Sequence, residues 1–256
     1  MAWVLDLDGV VWLADQPLPG VAEAVARLRD AGERVVFVTN NSSERIADQE
    51  AKLASFAIPA AGDVVTSAVV AVGLVEPGER VFICAGPGVE EAVLDRGAVP
   101  VRDGDADAVI VGFHRDFDYD EMDRASRAVR RGARLIGTND DATYPTPEGL
   151  VPGNGSILAA VATAAGVTPV VAGKPYPTMA EHVRALVGPV GVAVGDRPDT
   201  DGRFARALGF EWVLVLSGVT GAADLPVDPV PDRVAADLAA AVDEALAGRP
   251  SGTMAS

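Results

Sequence analysis

The sequence predicts an α/β protein built on a doubly wound, mostly parallel sheet. Short runs rich in Val, Ile and Leu recur along the chain and alternate with segments whose apolar residues have helical spacing. The runs are hydrophobic throughout, which is typical of strands covered by helices on both faces. Regular alternation of such strands and helices favours a parallel sheet with crossover helices.

The elements are predicted in order along the chain. In the first half we predict strands at 3–10, 34–40, the start of 63–75 and 80–86, and helices at 21–32, 42–56 and the rest of 63–75. In the second half we predict strands at 106–114, 134–140, 168–174, 190–196 and 211–218, a helix at 119–133, and a polar loop at 140–156. The uncharged stretch 156–173 contains Gly166 and Pro169, which favours a buried helix followed by a strand over a membrane span.

Composition excludes several classes of partner and site. The formal net charge of −16 disfavours binding to nucleic acid or to anionic membranes, which depends on clustered Lys and Arg. Cys84 is the only cysteine, so the sequence offers no disulfide framework and no cysteine metal cluster. His114 and His182 are too few for a multi-histidine zinc site, and we interpret both as structural. The chain begins with a strand and no basic leader, so we predict a cytoplasmic protein.

Polar side chains stand at the carboxyl ends of four predicted strands. They are Asp6 and Asp8, then Thr39, Asn40 and Asn41, then Lys174, and finally Asp196 with Asp201 close behind. Ligands of open parallel sheets bind outside the carboxyl ends of the strands, so we expect these groups to converge. Taken singly, the first pair could be a turn and the Thr-Asn-Asn run a helix cap. The ordered combination favours one shared site.

The residue types suit a cation and a phosphate group. Asp6 and Asp8 lie two apart in extended chain and face the same side, where two carboxylates require nearby positive charge. Asp196 adds a third oxygen donor, and a set without histidine or thiolate suits Mg²⁺. Lys174 adds a fixed positive charge, and the Thr-Asn pair adds neutral donors. A phosphate dianion that is being transferred requires positive charge and hydrogen-bond donors of this kind around its oxygens.

These motifs resemble those of the haloacid dehalogenase-like (HAD) phosphohydrolases. The matching residues are Asp6-Leu7-Asp8-Gly9-Val10, Thr39, Lys174 and Gly195-Asp196 with Asp201. GTNDDATYP (137–145), PGNGS (152–156) and AGKPYP (172–177) resemble segments of the NagD-type group, which includes phosphatases of p-nitrophenyl phosphate, phosphoglycolate, glycerol phosphate and pyridoxal phosphate. The resemblance extends from residue 4 to about residue 220. It implies a Rossmann-like catalytic core, residues 1–78 and 171–256, with an inserted α/β cap at 79–170 that sets substrate choice.

The resemblance also implies roles for the acidic residues. Asp6 would be the nucleophile that forms an aspartyl-phosphate, and Asp8 would be the general acid and then the base. Mg²⁺ would be held by a carboxylate oxygen of Asp6, the main-chain carbonyl of Asp8, and Asp196. Asp201 would act from behind these ligands, by orienting Lys174 or a metal-bound water.

The resemblance assigns the remaining polar groups to the substrate. Thr39, Asn40 and Lys174 would grip the phosphoryl oxygens, with Asn41 as a further candidate. Tyr144, Thr146 and Glu148, in the cap loop, are either substrate-facing residues or parts of a proline turn. We interpret Trp3 and Trp12 as core packing.

Two motifs depart from the family pattern. Val10 stands where threonine is frequent, and we expect little effect because this side chain is not a usual ligand. In the fourth motif, Arg197-Pro198-Asp199 is unusually charged and Gly202 replaces an apolar residue. These changes concern the geometry of the loop and leave Asp196 in place.

The sequence therefore predicts a Mg²⁺-dependent phosphatase of a small-molecule phosphate monoester. A phosphotransferase or phosphomutase would use the same aspartyl-phosphate, and a catalytically silent binding module could retain the same fold. A dehalogenase is disfavoured because its chemistry uses no Mg²⁺ site and lacks the second acid, here Asp8. The resemblance leaves the physiological substrate open and gives a homodimer as an expectation.

Overall fold

The computed structural model describes residues 1–14, 16–146 and 149–247 and confirms the α/β class. In these ranges the strands are β1 (Ala2–Leu5), β2 (Trp12–Leu13), β3 (Gln16–Pro17), β4 (Arg34–Thr39), β5 (Val64–Thr66), β6 (Arg80–Cys84), β7 (Val99–Val101), β8 (Ala108–Val111), β9 (Arg134–Gly137), β10 (Thr143–Thr146), β11 (Gly149–Pro152), β12 (Val170–Val171), β13 (Gly191–Gly195), β14 (Glu211–Val215) and β15 (Arg233–Ala235). The helices are α1 (Val21–Asp30), α2 (Ile46–Ser55), α3 (Ser67–Val72), α4 (Pro87–Asp95), α5 (Tyr119–Arg130), α6 (Asn154–Ala165), α7 (Pro177–Val187), α8 (Arg203–Leu208) and α9 (Leu238–Ala247).

The main sheet has six parallel strands in the order β15-β14-β13-β1-β4-β5. Along the central strand β1, Trp3 and Leu5 pack in the hydrophobic cluster of α1, α2 and α9, while Val4 packs in the cluster of α3, α7 and α8. Both faces are therefore buried, which explains why the strand is hydrophobic at every position. The doubly wound prediction is confirmed.

A second sheet is formed by strands between residues 80 and 171, with β12-β9-β8-β6-β7 all parallel. One face packs on α5 and α6 through residues such as Phe82 and Val109, and the other, with Val81 and Ile110, shares the cluster of β1 Val4. The inserted second α/β unit is thus present and continuous with the main core. The exact limits 79 and 170 stay a prediction.

Three predicted elements differ in the structure. The first strand ends at Leu5, because the carbonyl of Leu7 then accepts N–H groups of three residues in a tight turn, Val10, Val11 and Trp12. The predicted loop 140–156 contains strands β10 and β11 and the start of α6. The predicted strand 168–174 has only two residues in the sheet, and the chain leaves it after Ala172, whose N–H donates to the Gly137 carbonyl.

The segment 156–173 divides into α6 and the short strand β12, as predicted. Within the described ranges, no helix is long and apolar enough to cross a bilayer.

The fourth-motif loop is a π-helical turn, Pro198–Gly202, packed against Trp212. Gly202 is buried, and a Cβ there would lie 2.7 Å from Cη2 of Trp212, a side chain with 0% exposure. The glycine that departs from the family pattern therefore makes room for this ring.

We expect Gly202→Ala to lower the free energy of unfolding by about 1–3 kcal/mol, because the added methyl overpacks a fully buried contact. Urea denaturation measures the change. In a Trp212→Phe background the same substitution should cost less, since the smaller ring vacates the contact. An equal loss in both backgrounds would contradict this explanation.

Candidate active site

A cavity of about 360 Å³ lies between the carboxyl ends of the main-sheet strands and the loops of the second sheet. All of the residues predicted as catalytic, substrate-binding or metal-binding line it: Asp6, Asp8, Thr39, Asn40, Asn41, Tyr144, Lys174 and Asp196. Asp201 is buried directly behind Lys174. The side chain of Thr146 and the whole of Glu148 fall outside what the structure describes.

Lys174 forms a buried ionic trio with two aspartates. Its Nζ donates to Asp6 Oδ1 and to Asp201 Oδ1, both at 2.7 Å, and the three side chains are only 4–11% exposed. Burial alone would lower the pKa of Lys174, but Asp201 and Asp6 outweigh it and raise the pKa above the ordinary value. Lys174 therefore stays an ammonium group.

The position of Lys174 differs from the sequence prediction. It does not end a strand of the main sheet but lies in the connection from β12 to α7. Its main-chain N–H donates to Asn40 Oδ1 at 2.8 Å. The Lys174 N–H is therefore bonded to the side chain of Asn40 and not to a neighbouring strand.

Asp196 and Asp201 have different hydrogen-bond environments. Asp201 is saturated: Oδ1 accepts from Lys174, and Oδ2 accepts from the N–H groups of Asp196 at 3.2 Å and Arg197 at 3.1 Å. Asp196 Oδ2 accepts from the Val219 N–H at 2.5 Å, whereas its buried Oδ1 has no hydrogen-bond partner within the described ranges. Asp196 is therefore the carboxylate with an oxygen left for a cation.

The acids are arranged as a site for a hard cation. Single carboxylate oxygens of Asp6, Asp196 and Asp201 all lie within 4.8 Å of one another. Burial, followed by repulsion from Asp201, raises the pKa of Asp6 well above its usual range and the pKa of Asp196 to about 7. All-oxygen donors with an unsatisfied carboxylate oxygen fit Mg²⁺. Asp6 and Asp196 are the candidate ligands, and Asp201 lies behind them.

Gly9 makes the close approach of Asp196 possible. It turns the chain with a φ of +81°, and a Cβ at this position would collide with the Asp196 carboxylate. The turn that ends the first strand therefore also provides the space for the third acid.

Asp8 is oriented by the indole of Trp12. Trp12 Nε1 donates to Asp8 Oδ1 at 3.0 Å, and Lys52 Nζ lies 4.3 Å from the centroid of the Trp12 ring. Trp12 is 2% exposed and belongs to the core, as predicted, but it also lines the cavity. Its contact with Asp8 has no signal in the sequence beyond its four-residue spacing.

The Thr-Asn-Asn segment forms a closed hydrogen-bonded loop. The Asn41 N–H donates to Thr39 Oγ1 at 3.0 Å, which leaves the Thr39 hydroxyl hydrogen as a donor. Asn41 Oδ1 accepts from the N–H of Ser43 at 3.0 Å and from its hydroxyl at 2.8 Å. The side chain of Asn40 contacts Asp141 and the main chain of Lys174.

The second sheet supplies cavity residues to which the sequence assigned no role. Asn139, Asp141 and Asn154 occur in the quoted cap segments and line the cavity. Phe113 had no signal: its ring stacks on Tyr144 with centroids 5.2 Å apart and an interplanar angle of 23°. Both rings line the same cavity as the carboxylates, and we call the Phe113–Tyr144 pair the aromatic wall.

Family comparisons agree with the fold. A haloacid dehalogenase-like hydrolase model matches residues 3–98, and a HAD-hydrolase-like model matches residues 171–241. The chain is 39% identical to D-glycerol 3-phosphate phosphatase of Mycobacterium tuberculosis over 86% of its own length and 64% of that protein's length. It is 32% identical to acid sugar phosphatase of Staphylococcus saprophyticus over 90% and 92% of the two chains.

Solved structures give the same result. p-Nitrophenyl phosphatase from Archaeoglobus fulgidus superposes with a TM-score of 0.89 at 30% identity, covering 95% of this chain and 98% of that one. The M. tuberculosis glycerol phosphate phosphatase in complex with magnesium superposes with a TM-score of 0.85 at 37% identity, covering 93% and 74%.

The fold has a doubly wound core with acidic residues at its strand ends and a second α/β unit beside them. This is the architecture of a hydrolase with a core unit and a second unit. The chain belongs to the haloacid dehalogenase-like hydrolases, and its predicted place in the NagD-type phosphatase group is confirmed.

We expect Mg²⁺ to raise the melting temperature, and more so at pH 8 than at pH 6. Because the folded-state pKa of Asp196 lies near 7 and the unfolded value near 4, stability of the metal-free protein is lost as pH rises through this interval. A bound cation should restore this stability. At pH 8 it does so without displacing a proton, because Asp196 is already ionised above its pKa of about 7. At a concentration about 100 times Kd, the shift should be roughly 5 °C or more.

Differential scanning fluorimetry with Asp196→Asn and with the exposed control Asp199→Asn tests this expectation. The control should keep the shift and Asp196→Asn should lose most of it. A full shift in Asp196→Asn would place the cation elsewhere.

Proposed function

We propose that the protein is a Mg²⁺-dependent phosphatase that hydrolyses a small-molecule phosphate monoester through an aspartyl-phosphate on Asp6. The observation that carries the proposal is the Asp6 carboxylate, which Lys174 fixes in a cavity also lined by Asp196. Asp196 has a carboxylate oxygen without a hydrogen-bond partner among the described residues. Asp6, Asp196 and the main-chain carbonyl of Asp8 would hold Mg²⁺. When bound, the cation would supply positive charge that neutralises these acids and the phosphoryl group.

Asp6 carries out the first displacement. Its carboxylate attacks phosphorus, an aspartyl oxygen–phosphorus bond forms, and the bond from phosphorus to the leaving oxygen breaks. Lys174 and the Thr39 hydroxyl donate to the phosphoryl oxygens. The Asn40 side chain already uses its donors and acceptor within the protein, and its carbonyl accepts from Asn139 and Ser67. Its main-chain N–H is therefore the group that we assign to phosphate.

Asp8 handles the protons. In its acid form it gives a proton to the departing alkoxide; in the second step it takes a proton from water as that water attacks the aspartyl-phosphate and releases inorganic phosphate. The indole N–H of Trp12 holds one carboxyl oxygen of Asp8, which fixes the orientation of the carboxyl group.

The substrate's leaving group lies against the second α/β unit, which we propose is the cap. Phe113 and Tyr144 offer a stacked aromatic surface, and Asn154 and Thr143 add polar groups to the same wall. The names of the relatives, which include glycerol phosphate, acid sugar and 5′-nucleotide phosphatases, set the panel for a substrate screen.

Release of phosphate from p-nitrophenyl phosphate with and without Mg²⁺ tests the activity. Asp6→Asn should reduce kcat by about 10³-fold or more, because the amide is a poor nucleophile. Absence of turnover in the wild type would refute the phosphatase activity. Turnover retained in Asp6→Asn would refute the assignment of Asp6 as the nucleophile.

Asp8→Asn should separate substrates by their leaving groups. We expect alkyl phosphate turnover to fall by roughly 10²–10⁴-fold, since an alkoxide needs a proton, while p-nitrophenyl phosphate loses less in its first step. Mg²⁺ affinity, measured by calorimetry, should stay close to the wild-type value. Normal alkyl phosphate turnover would remove Asp8 from the acid role.

Phe113→Ala and Tyr144→Ala should raise KM for the substrate that the screen selects by several-fold to tenfold, because each removes one half of the stacked wall. Inorganic phosphate, which lacks a leaving group, should inhibit both variants and the wild type with the same inhibition constant. Equal weakening of phosphate and substrate would show that the rings only support the fold.

A further inference from the structure

The side chain of Asn40 brackets the main chain of Lys174. Its Oδ1 accepts the Lys174 N–H at 2.8 Å, and its Nδ2 donates to the Lys174 carbonyl at 3.0 Å. One amide group thus occupies both hydrogen-bonding groups of a single residue. The second hydrogen of Nδ2 is donated to Asp141 Oδ2, also at 3.0 Å.

The second α/β unit holds this bracket in place. Asn139 Nδ2 donates to the Asn40 carbonyl at 2.8 Å, and the Asp141 N–H donates to Asn139 Oδ1 at 3.1 Å. Asn154 Nδ2 donates to the Asn139 carbonyl at 2.6 Å. Side chains that follow β9 and begin α6 are therefore connected through Asn40 to the residue that contacts Asp6.

The requirement for such a bracket comes from the length of the lysine side chain. Lys174 has a flexible four-carbon stem with many rotamers, and its ammonium must lie 2.7 Å from both Asp6 and Asp201. The residue lies outside the ladder of either sheet, so β-sheet hydrogen bonds do not fix its main chain. Asn40 supplies the missing constraint.

We propose that Asn40 and Asp141 are positioning residues for Lys174, with Asn40 fixing the lysine main chain and Asp141 fixing the Asn40 amide. The inference rests on the proposed function, because it assigns Lys174 to the phosphoryl group. Asn40 then acts on phosphate through Lys174, and its side chain is not a direct phosphate ligand. Asp141 makes the geometry of the catalytic lysine depend on the second α/β unit.

A double-mutant cycle separates positioning from direct binding. The Kd for inorganic phosphate, measured by calorimetry with saturating Mg²⁺, is compared for wild type, Asn40→Ala, Lys174→Gln and the double variant. Asn40→Ala should weaken phosphate binding by roughly 10- to 100-fold in the wild-type background. With Lys174→Gln it should add less than about threefold, because no ammonium remains to be placed. Equal losses in both backgrounds would overturn the proposal.

Asp141 variants provide a second test that keeps the Asn40 amide intact. Asp141→Asn retains an acceptor oxygen for Asn40 Nδ2 and should keep phosphate affinity within about twofold of wild type, whereas Asp141→Ala should lose roughly tenfold. Asp140→Ala is the matched control, since Asp140 is exposed and accepts from the Tyr176 hydroxyl instead. Equal damage from Asp141→Asn and Asp141→Ala, or from Asp140→Ala, would show that charge and not this hydrogen bond matters.

The two proposals fail in distinguishable ways. Phosphate affinity is measured without turnover, so the double-mutant cycle tests the positioning role of Asn40 alone. Hydrolysis of p-nitrophenyl phosphate by the wild type tests the phosphatase activity separately. Melting temperatures of all variants are recorded alongside. If Asn40→Ala or Lys174→Gln does not fold, the Asp141 pair decides the question alone.

Discussion

The ammonium group of Lys174, buried between Asp6 and Asp201, is the constraint on which the arrangement of the site depends. Removing an ion from water costs several kcal/mol, and this cost is offset only where its partners are placed accurately. Each partner comes from a different region: Asp6 follows the central strand, and Asp201 lies in the π-helical turn after β13. Adjacent parallel strands bring these two regions together, and the glycine at position 9 leaves room for Asp196 beside them.

The site has more negative charge than Lys174 can neutralise. Asp6, Asp196 and Asp201 surround one ammonium, and the resulting repulsion adds to burial in raising the carboxyl pKa values of Asp6 and Asp196. Unsatisfied anionic charge of this kind gives a cation its affinity, and the cation in turn allows a phosphate dianion to approach an acidic protein of net charge −16. Under the proposed function, Asp6 and Asp196 would hold the cation, and Asp201 would balance the charge of Lys174 behind them. Phosphate binding should then depend on metal binding.

The sequence predicted the positions of site residues that the main chain places, but not the contacts that tertiary packing determines. Asp6, Thr39 and Asp196 stand at strand ends, so the topology of a parallel sheet was enough to bring them together. The Phe113–Tyr144 stack and the Trp12 contact to Asp8 depend on side-chain directions that no local pattern specifies. Asn40 shows the intermediate case: its location was predicted, but not the direction of its amide, which the partners at Lys174 and Asp141 determine.

The second α/β unit is connected to the acidic residues as well as to the aromatic wall. Its inner face shares a hydrophobic cluster with the main sheet, so the two units are packed together and not merely linked. Across that packed boundary run the hydrogen bonds of Asn139 and Asp141 to Asn40. Because packed interiors transmit small displacements, a change that moves the main chain of Asn139 or Asp141 should also move Asn40. Substitutions in the second unit should thus alter kcat together with KM whenever they move the segment that contains Asn139 and Asp141, and alter KM alone when they change only the exposed faces of Phe113 and Tyr144.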